Sequence, residues 1–296
     1  MKKTRFISLL TLLAVCAMAL PGTAMAHGVW FARRSDRIQL VCGEGWKDNA
    51  YDPDGLTTIK GYDADYADVA VEPIKGEDYL YIEPSDDLAA VYLEMDYGYW
   101  SNNADGEWIP KPMDEVEGST IGTHALKYSM NYFKPVTEVK ALDGVLYQFV
   151  PSVDPSTLNV GDEFTVQLLN NGEPMADVDI IPDVLNHHTE TIKTDENGMA
   201  TVTASNGGVN VIGCEMVVPY ENEGVDQKAT RSKAFVSLSF TLYPEEEDQF
   251  EALNARPALP SSVGFFIHSL SVVVENKKNF KNPVDKLLFL WYALSR

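Results

Sequence analysis

The sequence predicts an all-β fold organised as two β-sandwich-like domains. Short apolar or alternating runs recur along the chain, and clusters of Asp, Asn, Gly and Pro separate them. No long stretch of the first half sustains a helical period, which is the pattern of many short strands joined by turns. In residues 27–142 the strand candidates are Ile38–Val41, Asp68–Val71, Tyr79–Ile82 and Ala89–Met95, punctuated by breakers such as Asp52-Pro53-Asp54-Gly55 and Glu83-Pro84-Ser85-Asp86-Asp87. Asp96–Lys111, rich in aromatics and turn formers, reads as a hairpin with a long loop. Ser119–Lys134 is the best helical candidate of this half.

A second unit spans residues 145–243. Tyr147–Pro151 opens it. Glu163–Leu169, Ala176–Ile180, Met199–Thr203, Val209–Ile212 and Ala234–Leu242 follow, with turns at Asn171-Gly172-Glu173-Pro174 and Thr194-Asp195-Glu196-Asn197-Gly198 between them. Strands at this spacing indicate an immunoglobulin-like or carboxypeptidase-regulatory-like sandwich. Residues 244–296 change character: an acidic breaker, a 12-residue apolar run too short to span a bilayer, and a basic segment after Asn282-Pro283. This tail is either a partner- or membrane-contacting appendage or a read-through artefact.

Residues 1–26 read as a secretory leader. Lys2, Lys3 and Arg5 precede an apolar core from Phe6 to Leu20, and Ala24-Met25-Ala26 forms a small-residue exit. Its removal takes the formal charge from −21 to −24, a balance that argues against nucleic acid or an anionic membrane face as partner. It suits an extracytoplasmic protein that gathers cations, although acidic surfaces also serve solubility alone. Cys16 falls in the leader. Cys42 and Cys214 remain, and an oxidising compartment leaves their pairing open.

Cleavage after Ala26 makes His27 the first residue. Its α-amine and ring Nδ1 then form a chelate pair on one residue, and imidazole suits copper, nickel and zinc. A single such residue is a weak site without partners. Candidate partners are His124 in the aromatic-rich half and the loop pair His187-His188; His268 lies in the tail. The competing reading makes these ordinary surface histidines. The chain has no Cys-x-x-Cys, His-Glu-x-x-His, Gly-x-Ser-x-Gly or phosphate loop, so serine-hydrolase and nucleotide chemistry have no support and no catalytic residue is assigned. Acidic turns such as Asp63-Ala64-Asp65 are too abundant to single out.

His27-Gly28-Val29-Trp30-Phe31, Leu93 to Trp100 (ending Tyr97-Gly98-Tyr99-Trp100), Gln148-Phe149-Val150-Pro151 with Asp154-Pro155, the two Asn/Gly turns and Lys233-Ala234-Phe235 to Leu242 together resemble a bacterial periplasmic family. That family is associated with nickel/cobalt uptake, and its domain is formally of unknown function. The resemblance covers His27 to Leu242. It implies binding of nickel or cobalt for delivery to an inner-membrane transporter. The His27-Gly28 start also resembles copper-dependent polysaccharide monooxygenases, which makes an enzyme the alternative. A third reading is a structural secreted module.

Overall fold

A computed structural model describes residues 27–242, apart from 35, 36 and 46. The expected leader and the tail therefore lie outside the described residues. In chain order the strands are β1 (Gly28–Arg34), β2 (Arg37–Glu44), β3 (Lys47–Asp48), β4 (Leu56–Tyr62), β5 (Asp68–Val69), β6 (Pro73–Lys75), β7 (Leu80–Ile82), β8 (Ala90–Asn102) and β9 (Trp108–Ile109). They continue as β10 (Gly122–Tyr132), β11 (Tyr147–Pro151), β12 (Glu163–Asn170), β13 (Glu173–Pro174), β14 (Asp179–Ile181), β15 (Ile192–Lys193), β16 (Met199–Thr203), β17 (Val209–Val218) and β18 (Arg231–Thr241). Helix among the described residues is confined to short 3-10 turns.

The strands form three sheets. The central one runs β15-β14-β17-β18-β10-β8-β4-β5, with β9 on β8. A first flanking sheet runs β1-β2-β7-β6 with β3 on β2, and a second joins β11, β13 and β16 to β12. Phe149, Phe164, Val166 and Leu168 of the second flanking sheet pack on Tyr128, Met130, Ile212, Val236, Leu238 and Phe240 of the central one. On its opposite face, Val91, Leu93 and Met95 meet Val29, Phe31, Leu40, Cys42, Leu80 and Ile82. The result is an all-β, sandwich-like fold whose central layer is covered on both sides.

That double covering explains where the sequence misleads. Ser119–Lys134 is not a helix; β10 occupies Gly122–Tyr132. Both of its faces are buried, so the alternation that normally marks a half-exposed strand is blurred. The hairpin expected at Asp96–Lys111 is present: β8 and β9 pair Ser101 with Ile109, and the Asn103 side chain accepts from the Asp105 and Glu107 amides across the turn. The boundary expected near residues 142–145 falls between β10 and β11, yet hydrogen bonding crosses it. β10 pairs in parallel with β18, Thr123 opposite Arg231 through Tyr132 opposite Phe240. Strands from both halves therefore share one sheet.

Cys42 and Cys214 are free and buried. They belong to cores on opposite faces of the central sheet, so the pairing left open by the sequence is not made.

β1 is fixed to the central sheet by polar contacts. Asn131, fully buried on β10, accepts from the Phe31 amide at 2.8 Å and from Ser239 Oγ at 2.7 Å, and donates to the Val91 carbonyl at 3.2 Å. Ser237 donates its hydroxyl to the Val29 carbonyl. These bonds hold the segment that carries His27.

Candidate functional site

His27 immediately precedes β1. The β1–β2 register sets Gly28 opposite Gly43, and one step further places His27 opposite Glu44. Their side chains meet, with Nε2 4.0 Å from Oε1. Gly28 is what lets the strand start here, since a Cβ on it would lie 2.5 Å from the Phe235 ring. Lys47 flanks the same carboxylate, its Nζ 3.8 Å from Oε1. The second oxygen, Oε2, is buried and has no hydrogen-bond partner, an expensive state for a carboxylate.

Burial lowers the His27 imidazole pKa below its ordinary value of about 6.5. Lys127 and Lys47 push in the same direction, against Glu44 and Glu215. The ring is therefore neutral at pH 7, which is the form that ligates metals. Lys127 is fully buried, with Nζ 5.1 Å above the Tyr97 ring and 5.7 Å above Phe235. Burial brings its amine down to about 8 and pushes the neighbouring Cys42 thiol up to about 11. Cys42 is fully buried in the core with Val29, Phe31 and Leu40 and packs there as a small apolar group.

The loop after β14 rests on the end of β2, where the Gly45 amide donates to the Val184 carbonyl at 3.0 Å. Buried Asp183 shapes this loop by accepting from the Leu185 and Asn186 amides, each at 3.1 Å. The two adjacent histidines it carries have different surroundings. His187 is exposed and its Nδ1 lies 3.2 Å from Glu190 Oε1. His188 is half-buried, its Nδ1 has no partner, and a Cβ on Gly45 would sit 3.3 Å from that nitrogen.

His124 is elsewhere. On β10 it shares a face with Tyr128 and Met130, whereas Lys127 and Asn131 face β1. The central sheet thus separates His124 from His27. Its Nε2 is bound to Asp96 Oδ1 at 2.9 Å, and its ring stacks on Tyr99 at 4.5 Å with Tyr220 edge-on. A bulge at Tyr97, where β8 contributes one extra residue, turns Asp96 to this position, and the left-handed Gly98 closes it by donating its amide to Asp96 Oδ1. His268 lies outside the described residues. Among the described residues, no three His, Cys, Asp or Glu side chains converge on one metal-sized point.

The His124 hydrogen bond, with help from the Gly98 amide, holds the Asp96 carboxyl below the usual range. A carboxylate lowered on folding stabilises the protein above its unfolded pKa, about 3.9, and that stability is lost as pH falls through the lower folded value. Asp96→Asn is accordingly expected to flatten the acid limb of stability below about pH 4. Urea midpoints between pH 2 and 6 check this; parallel wild-type and variant curves would refute it.

An all-β, sandwich-like fold of three sheets, in which a histidine just before the first strand faces a carboxylate at the end of the second, is the class this architecture defines. The chain belongs to the family defined by a domain of unknown function, DUF4198, whose model matches residues 24–217. The match takes in His27, Glu44, His124, His187 and His188 and ends within β17. It names no metal and no uptake system. No curated protein and no solved structure matches the chain.

Glu44 was not distinguishable in the sequence, since only the β1–β2 register sets it opposite His27. Lys127 was hidden likewise, inside the segment that reads as helical.

Proposed function

We propose that this is an exported, non-enzymatic protein that binds a transition-metal cation at its mature N-terminus, serving metal uptake across the cell envelope. The observation that carries the reading is the His27–Glu44 pair: a neutral imidazole and a carboxylate opposed across two strands at the chain's expected head. Removal of residues 1–26 frees an α-amine on the same residue. Amine and ring Nδ1 form the chelate; the ring as placed presents Nε2 to Glu44, so it turns over for the carboxylate to join them as a third donor, and this mixed nitrogen and oxygen set suits copper, nickel, cobalt or zinc. Ligand order alone favours copper; the family resemblance favours nickel or cobalt and a membrane transporter as recipient. Binding takes the deprotonated amine and imidazole, so uptake releases the amine proton near neutral pH and weakens as pH falls through the amine and histidine pKa values.

The test is metal analysis of the mature chain, purified from the periplasm and dialysed against trace nickel, cobalt, copper and zinc. About one equivalent of a single metal per chain is expected. No stoichiometric metal would leave a structural secreted module in its place.

A further inference from the structure

The described residues contain three buried side-chain atoms without a hydrogen-bond partner: Glu44 Oε2, Asn49 Nδ2 and His188 Nδ1. Buried polar groups are nearly always satisfied, so each exception calls for an explanation. These three share one region. Glu44 ends β2, and Asn49 follows β3 and donates its backbone amide to the Cys42 carbonyl at 2.7 Å. His188 belongs to the loop seated on Gly45, the residue after Glu44. Two of the three atoms, a carboxylate oxygen and an imidazole nitrogen, are metal donors. The other histidines differ in this respect: His124 is held by Asp96 behind the central sheet, and His187 faces solvent beside Glu190.

We infer that His188 is the second imidazole ligand of the cation held at His27, with Glu44 Oε2 as the intervening carboxylate donor. The inference rests on the N-terminal metal reading above. As placed, these side chains do not close on a common point, so the His188 ring turns toward Glu44 when the ion binds. Gly45 suits this movement, because any side chain at that position would crowd Nδ1. The ligand class is a divalent cation that accepts two imidazoles, an amine and one carboxylate, as copper(II), nickel(II), cobalt(II) and zinc(II) do. The all-oxygen preference of calcium and magnesium excludes them.

The experiment uses the full mature chain with its N-terminus verified by mass spectrometry. Copper(II) and nickel(II) are titrated calorimetrically into wild type, His27→Ala, His188→Ala, His187→Ala, His124→Ala and Glu44→Gln. His188→Ala and Glu44→Gln are expected to weaken binding by at least about tenfold, the lower bound even for groups that only orient a ligand. His187→Ala and His124→Ala are expected to stay close to wild type. Unchanged affinity in His188→Ala overturns the inference; if His27→Ala still abolishes binding in that case, the N-terminal reading stands without it. Should His188→Ala fail to fold, electron paramagnetic resonance of the wild-type copper(II) complex decides. Nitrogen couplings from two imidazoles support the assignment, and couplings from one overturn it.

Discussion

Replacing His27 with alanine is expected to lower affinity for nickel(II) or copper(II) by about a hundredfold or more, the largest effect of any single substitution at the site. Each factor of ten corresponds to about 1.4 kcal/mol, and the substitution removes the imidazole and breaks the chelate it forms with the α-amine. The fold should barely respond. His27 precedes β1, is part-exposed, and its approach to Glu44 at 4.0 Å is too long for a hydrogen bond. Calorimetric titration beside a thermal melt separates the two effects. Lost binding with an unchanged midpoint supports the account. Equal affinities in wild type and variant would end it.

The second large effect concerns stability. Asn131→Ala is expected to cost about 3 kcal/mol, because it strands buried backbone and hydroxyl partners that the sheets have already withdrawn from water. The Phe31 amide loses its acceptor, and the Val91 carbonyl loses a donor. The Ser239 hydroxyl also loses the oxygen to which it donates. For a folded unit of about 200 residues that corresponds to a fall of roughly 6–12 °C in melting midpoint. Exchange of the Phe31 amide should accelerate more than that of amides in β12, since Asn131 anchors β1 and not the second flanking sheet. A uniform acceleration across the chain would contradict the anchoring role.

Much of the fold was legible in the sequence where physics kept one face wet. β16 coincides with the expected run Met199–Thr203 and alternates between exposed and buried residues; β11 coincides with Tyr147–Pro151 although four of its five residues are buried. β12 gains only Asn170 over the expected Glu163–Leu169. Their turn residues carry the signal as well: Asn171, Gly172 and Gly198 all adopt the left-handed backbone that such turns require. Legibility failed at the central layer. β10 carries Lys127, Ser129 and Asn131 on a buried face, a pattern that period-counting does not associate with a strand interior. The parallel pairing of β10 with β18 joins segments more than a hundred residues apart, and local patterning carries no trace of it.

The site divides in the same way. His27 stood out because the expected leader and cleavage signal are local sequence patterns. Glu44 is one of 44 acidic residues, and only the pairing of β1 with β2 distinguishes it from the rest. His187 and His188 looked equivalent as neighbours in a loop, but the packing of that loop on Gly45 buries one ring nitrogen and leaves its neighbour in solvent. His124 looked like a ligand of similar standing, and only the alternation of β10 shows that it lies across the sheet.

The central claim is that a free α-amine on His27 completes a chelate. It is tested most directly by comparing the chain beginning at His27 with one beginning a single residue earlier, at Ala26. The two share every side chain of the fold and differ in whether the His27 nitrogen is an amine or an amide. Native mass spectrometry with one equivalent of copper(II) or nickel(II) is expected to show a one-to-one complex for the first and little or none for the second. Equal occupancy of the two chains would contradict the claim.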